Sequence, residues 1–127
     1  MNILLFLLIL ILLGFFDFIY LSLFNEYFKT IFYNIQKSKL NVNLYYALGV
    51  YLIMTLCIYY FGFVKKLNEI DMLLLGLFIY GIYEFTNKAT FKNWPIFMIL
   101  LDTTWGGILF LSVFYISKYI NKKLLKN

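Results

Sequence analysis

Four apolar runs follow one another along this chain, from Ile3 to Phe24, Leu44 to Val64, Ile70 to Thr86 and Pro95 to Tyr119. About 20 mostly apolar residues, rising about 1.5 Å each as a helix, cross the hydrocarbon core of a bilayer. The pattern therefore predicts an all-α fold, a four-helix transmembrane bundle forming a single membrane domain over residues 1–127. The first run has no basic residue before it and no small-residue cleavage site after it, so it reads as a retained helix rather than a signal peptide.

The polar stretches between the runs carry boundary signals. Asn25 to Asn43 interleaves charges with Tyr27, Phe28, Ile31, Phe32, Tyr33 and Ile35, a spacing that predicts an amphipathic helix lying along the membrane interface between helices 1 and 2. Lys65 and Lys66 stop the second run, and Asn68 is placed to cap the third helix with Glu69 and Asp71 in its first turn. Asn87 to Trp94 forms a short polar link, after which Pro95 suits the first position of the last helix, where a missing N–H costs nothing.

Composition excludes several function classes. With 64% hydrophobic residues and a mean hydropathy of +0.85, the chain leaves no room for a soluble catalytic domain beside its helices. The net charge of +5 comes from lysines at the ends of apolar runs, including Lys122, Lys123 and Lys126, where they can snorkel to lipid phosphates. Membrane lipids are thus the expected partners, not nucleic acid. Five lysines flank the first and third connections and six flank the other side, so their balance sets no orientation. One cysteine, Cys57, and no histidine exclude an intrachain disulfide and argue against zinc, haem and iron–sulfur centres, so no metal and no cofactor are expected.

Three carboxylates interrupt the apolar runs: Asp17, Glu84 and Asp102. An acid at the centre of a span costs roughly 2.5–3.5 kcal/mol on insertion scales, which makes each a candidate functional residue. At about 1.5 Å per residue, Asp17 and Asp102 lie roughly 10 Å from their loops and Glu84 roughly 5 Å, all in one leaflet of an up-down-up-down bundle. Residues three, four and seven apart share a helix face, which groups Gly14, Asp17, Tyr20 and Phe24; Gly76, Tyr80, Tyr83, Glu84 and Asn87; and Asp102, Trp105, Gly106 and Leu109. The candidate pocket is therefore Asp17, Tyr80, Glu84, Asn87, Lys88, Asp102 and Trp105, with Lys88 available to pair with Glu84. The link containing Asn87, Thr90 and Asn93 is expected to fold over it as a lid, with Asn87 bonded to an acid or to backbone.

Such a pocket admits several roles. The acids can bond one another and only fix helix register; they can bind or act on a lipid, one carboxyl serving as a general acid; or they can form a proton or cation pathway. The pathway needs polar groups across the whole bilayer, and the opposite leaflet offers only Tyr51, Thr55, Tyr59 and Ser112. A structural or assembly role, with a second copy or other membrane proteins as partners, is the remaining alternative. Whether the protein is an enzyme stays open in the sequence.

The segments Tyr83-Glu84-Phe85-Thr86-Asn87-Lys88-Ala89-Thr90, Asn93-Trp94-Pro95 and Asp102-Thr103-Thr104-Trp105-Gly106 resemble the signature of the domain of unknown function 2177 family of small predicted membrane proteins. Asp17 matches that family's first-helix aspartate, although Tyr20, Leu21 and Ser22 replace its usual Trp-Leu-Gly, and Glu84 stands where the family commonly has Asp. The resemblance implies four helices and supplies no reaction; a genomic association of relatives with lipid-modifying enzymes makes a lipid the expected ligand class.

Overall fold

The computed structural model describes residues 1–125, so Lys126, one of the cationic-tail lysines, lies outside the described residues. Five α-helices make up the described chain: α1 (Ile3–Leu23), α2 (Asn25–Gln36), α3 (Leu44–Ile58), α4 (Glu69–Thr90) and α5 (Ile96–Ile120). Both α3 and α5 run on into a widened π-helical turn, Tyr59–Val64 and Asn121–Leu125. Three of the resulting helices, Ile3–Leu23, Leu44–Val64 and Ile96–Leu125, are long and apolar enough to cross a membrane. With 22 residues α4 is as long, but Glu69, Asp71, Glu84 and Lys88 dilute its apolar character.

Side-chain oxygens start three of the helices. Asn2 accepts from Leu5 N at 3.1 Å, Asn43 from Tyr45 N at 3.0 Å and Asn68 from Asp71 N at 2.8 Å, each satisfying a first-turn N–H that has no helical partner. Pro95 sits one position earlier than expected, as the N-cap of α5 with ψ 144° rather than its first helical residue. The third helix departs more from the expected bounds. It continues through Asn87 to Thr90, so the polar link shrinks to Phe91–Pro95.

Packing runs from α3 to α1 to α5 to α4, and α3 and α4 hardly touch, which leaves one side of the bundle open. The tightest contact joins α4 to α5 through glycines. A Cβ on Gly76 would collide with the Gly106 carbonyl oxygen and lie 2.8 Å from Phe110 Cβ, and one on Gly106 would strike the Tyr80 ring. Gly14, which shares a helix face with Asp17, has nothing within 4 Å of where its Cβ would be and makes no such close contact. Tyr59 Oη accepts from Asn2 N at 2.8 Å, and Lys118 Nζ donates to Glu69 Oε1 at 3.0 Å. The start of α1, the end of α3, the start of α4 and the end of α5 therefore meet at one end of the molecule.

Two apolar clusters fill the interior. Toward the chain termini lie Leu5, Ile9, Leu13, Ile58, Met72, Leu109, Phe110, Val113 and Phe114; toward α2 lie Tyr20, Phe28, Ile31, Trp94, Met98 and Ile99. The second cluster anchors α2, whose Phe28 and Ile31 are buried while Glu26, Lys29 and Thr30 stay exposed. The polar groups lie where these two clusters meet.

Candidate functional site

Extension of α4 to Thr90 moves Glu84 to about 9 Å from its helix end, because it now precedes that end by about six residues at about 1.5 Å each. The same count from Leu23 and Ile96 puts Asp17 and Asp102 at that depth as well. The three carboxyls are thus level rather than staggered. All are buried, with Asp17 and Asp102 8% exposed and Glu84 fully enclosed.

Each acid is met by aromatic donors. Tyr51 Oη donates to Asp17 Oδ2 and Trp105 Nε1 donates to Asp17 Oδ1 at 3.0 Å. Tyr20 Oη donates to Asp102 Oδ1 at 2.9 Å, and Trp94 Nε1 donates to Glu84 Oε1 at 2.7 Å. Tyr20 also stacks on Trp105, their rings 4.6 Å apart and within 8° of parallel. A continuous chain of polar and aromatic groups therefore runs from Tyr51 on α3 through Asp17, Trp105, Tyr20 and Asp102 to Glu84 and Trp94. It ties α1, α3, α4 and α5 together at one level.

Glu84 Oε2 has no N–H or O–H donor within reach. The Asp102 carboxyl lies beside Glu84.

Several expected pocket members sit elsewhere. Lys88 does not pair with Glu84: its Nζ donates to the Trp94 carbonyl oxygen at 2.8 Å, pinning the link between α4 and α5. Asn87 lies in the last turn of α4 and reaches the Tyr83 side chain rather than an acid. In the link Trp94 is the buried side chain, only 1% exposed, while Thr90 and Asn93 face outward. Replacing Asn87, which is half-buried beside Tyr83, by Leu is accordingly expected to cost no more than about 1 kcal/mol. Thermal unfolding in detergent checks this, and a larger loss would return Asn87 to the core of the site.

Tyr51, assigned by its position to the opposite leaflet, joins Asp17 instead. The count that places Asp17 also places Tyr51, since it follows the start of α3 by about seven residues, or roughly 10 Å. Tyr51→Phe, which deletes one donor to a buried acid, should cost about 1–2 kcal/mol of stability. An unchanged midpoint would mean that Asp17 is held by Trp105 alone. The roles of Tyr20 and Trp94 had a weaker signal: aromatics at bundle ends commonly belong to interfacial belts, and their polar atoms acquire partners only through tertiary packing.

Asp102 also faces a cavity. A space of about 410 Å³ opens between α3 and α4, lined by Val50, Ile53 and Met54 on one wall, Ile79, Tyr80 and Tyr83 on the other, and Asp102 of α5 at its floor. Tyr80 Oη spans part of it to Met54 Sδ at 3.6 Å. Among the described residues no group of three or more His, Cys, Asp or Glu could hold a metal ion.

Neither a curated protein nor a solved structure matches this chain. The family described as predicted membrane protein (DUF2177) matches over residues 2–118, a span that contains all five helix starts, the three buried acids and both tryptophans. The chain is a membrane protein and belongs to the DUF2177 family.

Proposed function

We propose that this protein is a four-span membrane protein that holds a lipid in the cleft between α3 and α4, with the lipid's polar head bonded to Asp102. One observation carries this reading: the cleft is an apolar slot that ends on a buried carboxyl. Sites that combine apolar walls with a few convergent polar groups suit amphipathic molecules. Carboxyl oxygens accept hydrogen bonds, so a head that carries N–H or O–H donors suits this floor. The open side of the bundle provides lateral entry from the bilayer.

This reading makes α4 the fourth span. Its one deeply placed acid, Glu84, accepts a hydrogen bond from Trp94 Nε1, which offsets part of the cost of keeping it away from water. It also places α2 at the membrane interface, with Phe28 and Ile31 directed inward and Lys29 toward headgroups. An ion path is disfavoured, because the half of the bundle toward the termini is packed with Leu5, Ile9, Leu13, Phe110 and Phe114. Its buried hydroxyls, on Thr55 and Ser117, are spent on their own helices' carbonyls. The cleft lining includes no serine, cysteine or lysine to act as a nucleophile, so binding fits the groups better than covalent catalysis.

The test is the thermal midpoint of the purified protein titrated with lipids of identical acyl chains. Phosphatidylethanolamine or diacylglycerol, whose heads carry donors, should raise it by several degrees more than phosphatidylcholine, whose head has none. Asp102→Asn should narrow that difference. Equal effects of all three lipids, or none from any, would remove the proposal.

A further inference from the structure

The other end of the bundle holds a cavity that the lipid cleft does not use. About 510 Å³ in volume, it forms where the start of α1, the π-helical turn after α3, the link to α4 and the end of α5 converge. Leu5, Phe63 and Leu67 give it apolar walls, while Lys66 from the link to α4 and Lys118 and Lys122 from the end of α5 supply three cations. Among the described residues no carboxylate lines it. Glu69 lies nearby but is bonded to Lys118, whose charge it offsets, so among the described residues the cations without a salt-bridge partner here are Lys66 and Lys122.

Two further features set this cavity apart from a merely basic surface. Lys66 has a φ of 57°, a left-handed conformation that a side chain bearing a Cβ adopts rarely and at a steric cost. That turn, closed by Leu67 N donating to Phe61 O at 3.0 Å, brings Lys66 to the cavity, while its neighbour Lys65 lies over the Tyr60 ring. In addition, Asn2 caps α1 with its Oδ1 and gives its backbone N–H to Tyr59, which leaves its buried Nδ2 donor without a partner. Cations, a spare N–H donor and apolar walls share one concavity at the end of apolar helices, the depth at which lipid phosphates lie.

We propose that this cavity binds the phosphate of an anionic phospholipid, with Lys66 and Lys122 on the phosphate oxygens and the first acyl carbons against Leu5, Phe63 and Leu67. Free phosphate would meet the same cations, but it would leave the apolar walls uncovered. The site is separate from the acid-floored cleft and would hold a different class of lipid at the opposite end of the molecule. Basic pockets between spanning helices recognise anionic headgroups in this way.

The experiment follows the thermal midpoint of the protein in neutral detergent as phosphatidylglycerol is added, with inorganic phosphate at equal concentration in a parallel arm. Phosphatidylglycerol should raise the midpoint by several degrees and inorganic phosphate should not. A Lys66→Ala/Lys122→Ala variant should lose at least half of the rise, whereas Lys29→Ala/Lys92→Ala, which removes the same charge at the other end, should keep it. Lys66→Gly guards against a purely structural loss: it relieves the left-handed residue and should keep the basal midpoint or raise it, yet still weaken the lipid response. Equal loss in both double variants would show that bulk charge is responsible and overturn the site. A full response to inorganic phosphate would overturn the lipid assignment, and an undiminished response in Lys66→Gly would remove Lys66 from it.

Discussion

Adding a single methyl group at Gly76 is expected to destabilise the bundle by about 2 kcal/mol, whereas the same change at Gly14 should be neutral or stabilising. The contrast follows from what each new carbon meets. At Gly76 it collides with the Gly106 carbonyl oxygen and crowds Phe110 Cβ, so α4 and α5 must separate. Overpacking costs about 1–3 kcal/mol where side chains can adjust, and backbone cannot turn aside, which places this site near ~3 kcal/mol. The better helix propensity of alanine returns about 1 kcal/mol. At Gly14 only that gain remains, because nothing lies within 4 Å. Unfolding midpoints of the two variants, measured side by side in detergent, check the prediction, and equal midpoints would mean that the α4–α5 contact is looser than described.

Trp94→Phe should be the more damaging of the changes around the acids, at about 3 kcal/mol. It removes the donor to Glu84 Oε1, and since Oε2 has no hydrogen-bond partner among the described residues, Glu84 would be left without a donor in a fully buried position. A lost hydrogen bond to a charged group accounts for about 1.5–3 kcal/mol, and the smaller ring leaves a void beside Phe32 and Tyr83. The mechanism has its own signature. In the Trp94→Phe background, Glu84→Leu should cost at least about 1 kcal/mol less than in the native protein, because the stranded acid goes with it. Additive losses would show that Trp94 acts only as a packed ring.

Much of this architecture is legible in the residue pattern, for physical reasons that differ between elements. The apolar runs and the cap at Asn68 depend on local chemistry, so α1, α3 and α5, and the start of α4, lie close to where the residue pattern alone puts them. The end of α4 does not: Asn87, Lys88, Ala89 and Thr90 are polar enough to suggest a loop, yet they form a helical turn held by Lys88 on the Trp94 carbonyl. That one error misplaced Glu84 in depth and Asn87 in role. Burial of the three acids follows from their cost in lipid, but their partners are settled by packing between helices distant in sequence. Tyr51 with Asp17, and Tyr20 with Asp102, are pairs that no spacing along a single helix encodes.

The proposal that the α3–α4 cleft holds a lipid is tested most directly by native mass spectrometry of the protein released from a lipid membrane. The native chain should retain one lipid at low collision energy, and Ile53→Trp, which fills the cleft from its α3 wall, should lose it while keeping its helical content. Equal retention by both proteins, or release of the native chain without a bound lipid, would contradict the account.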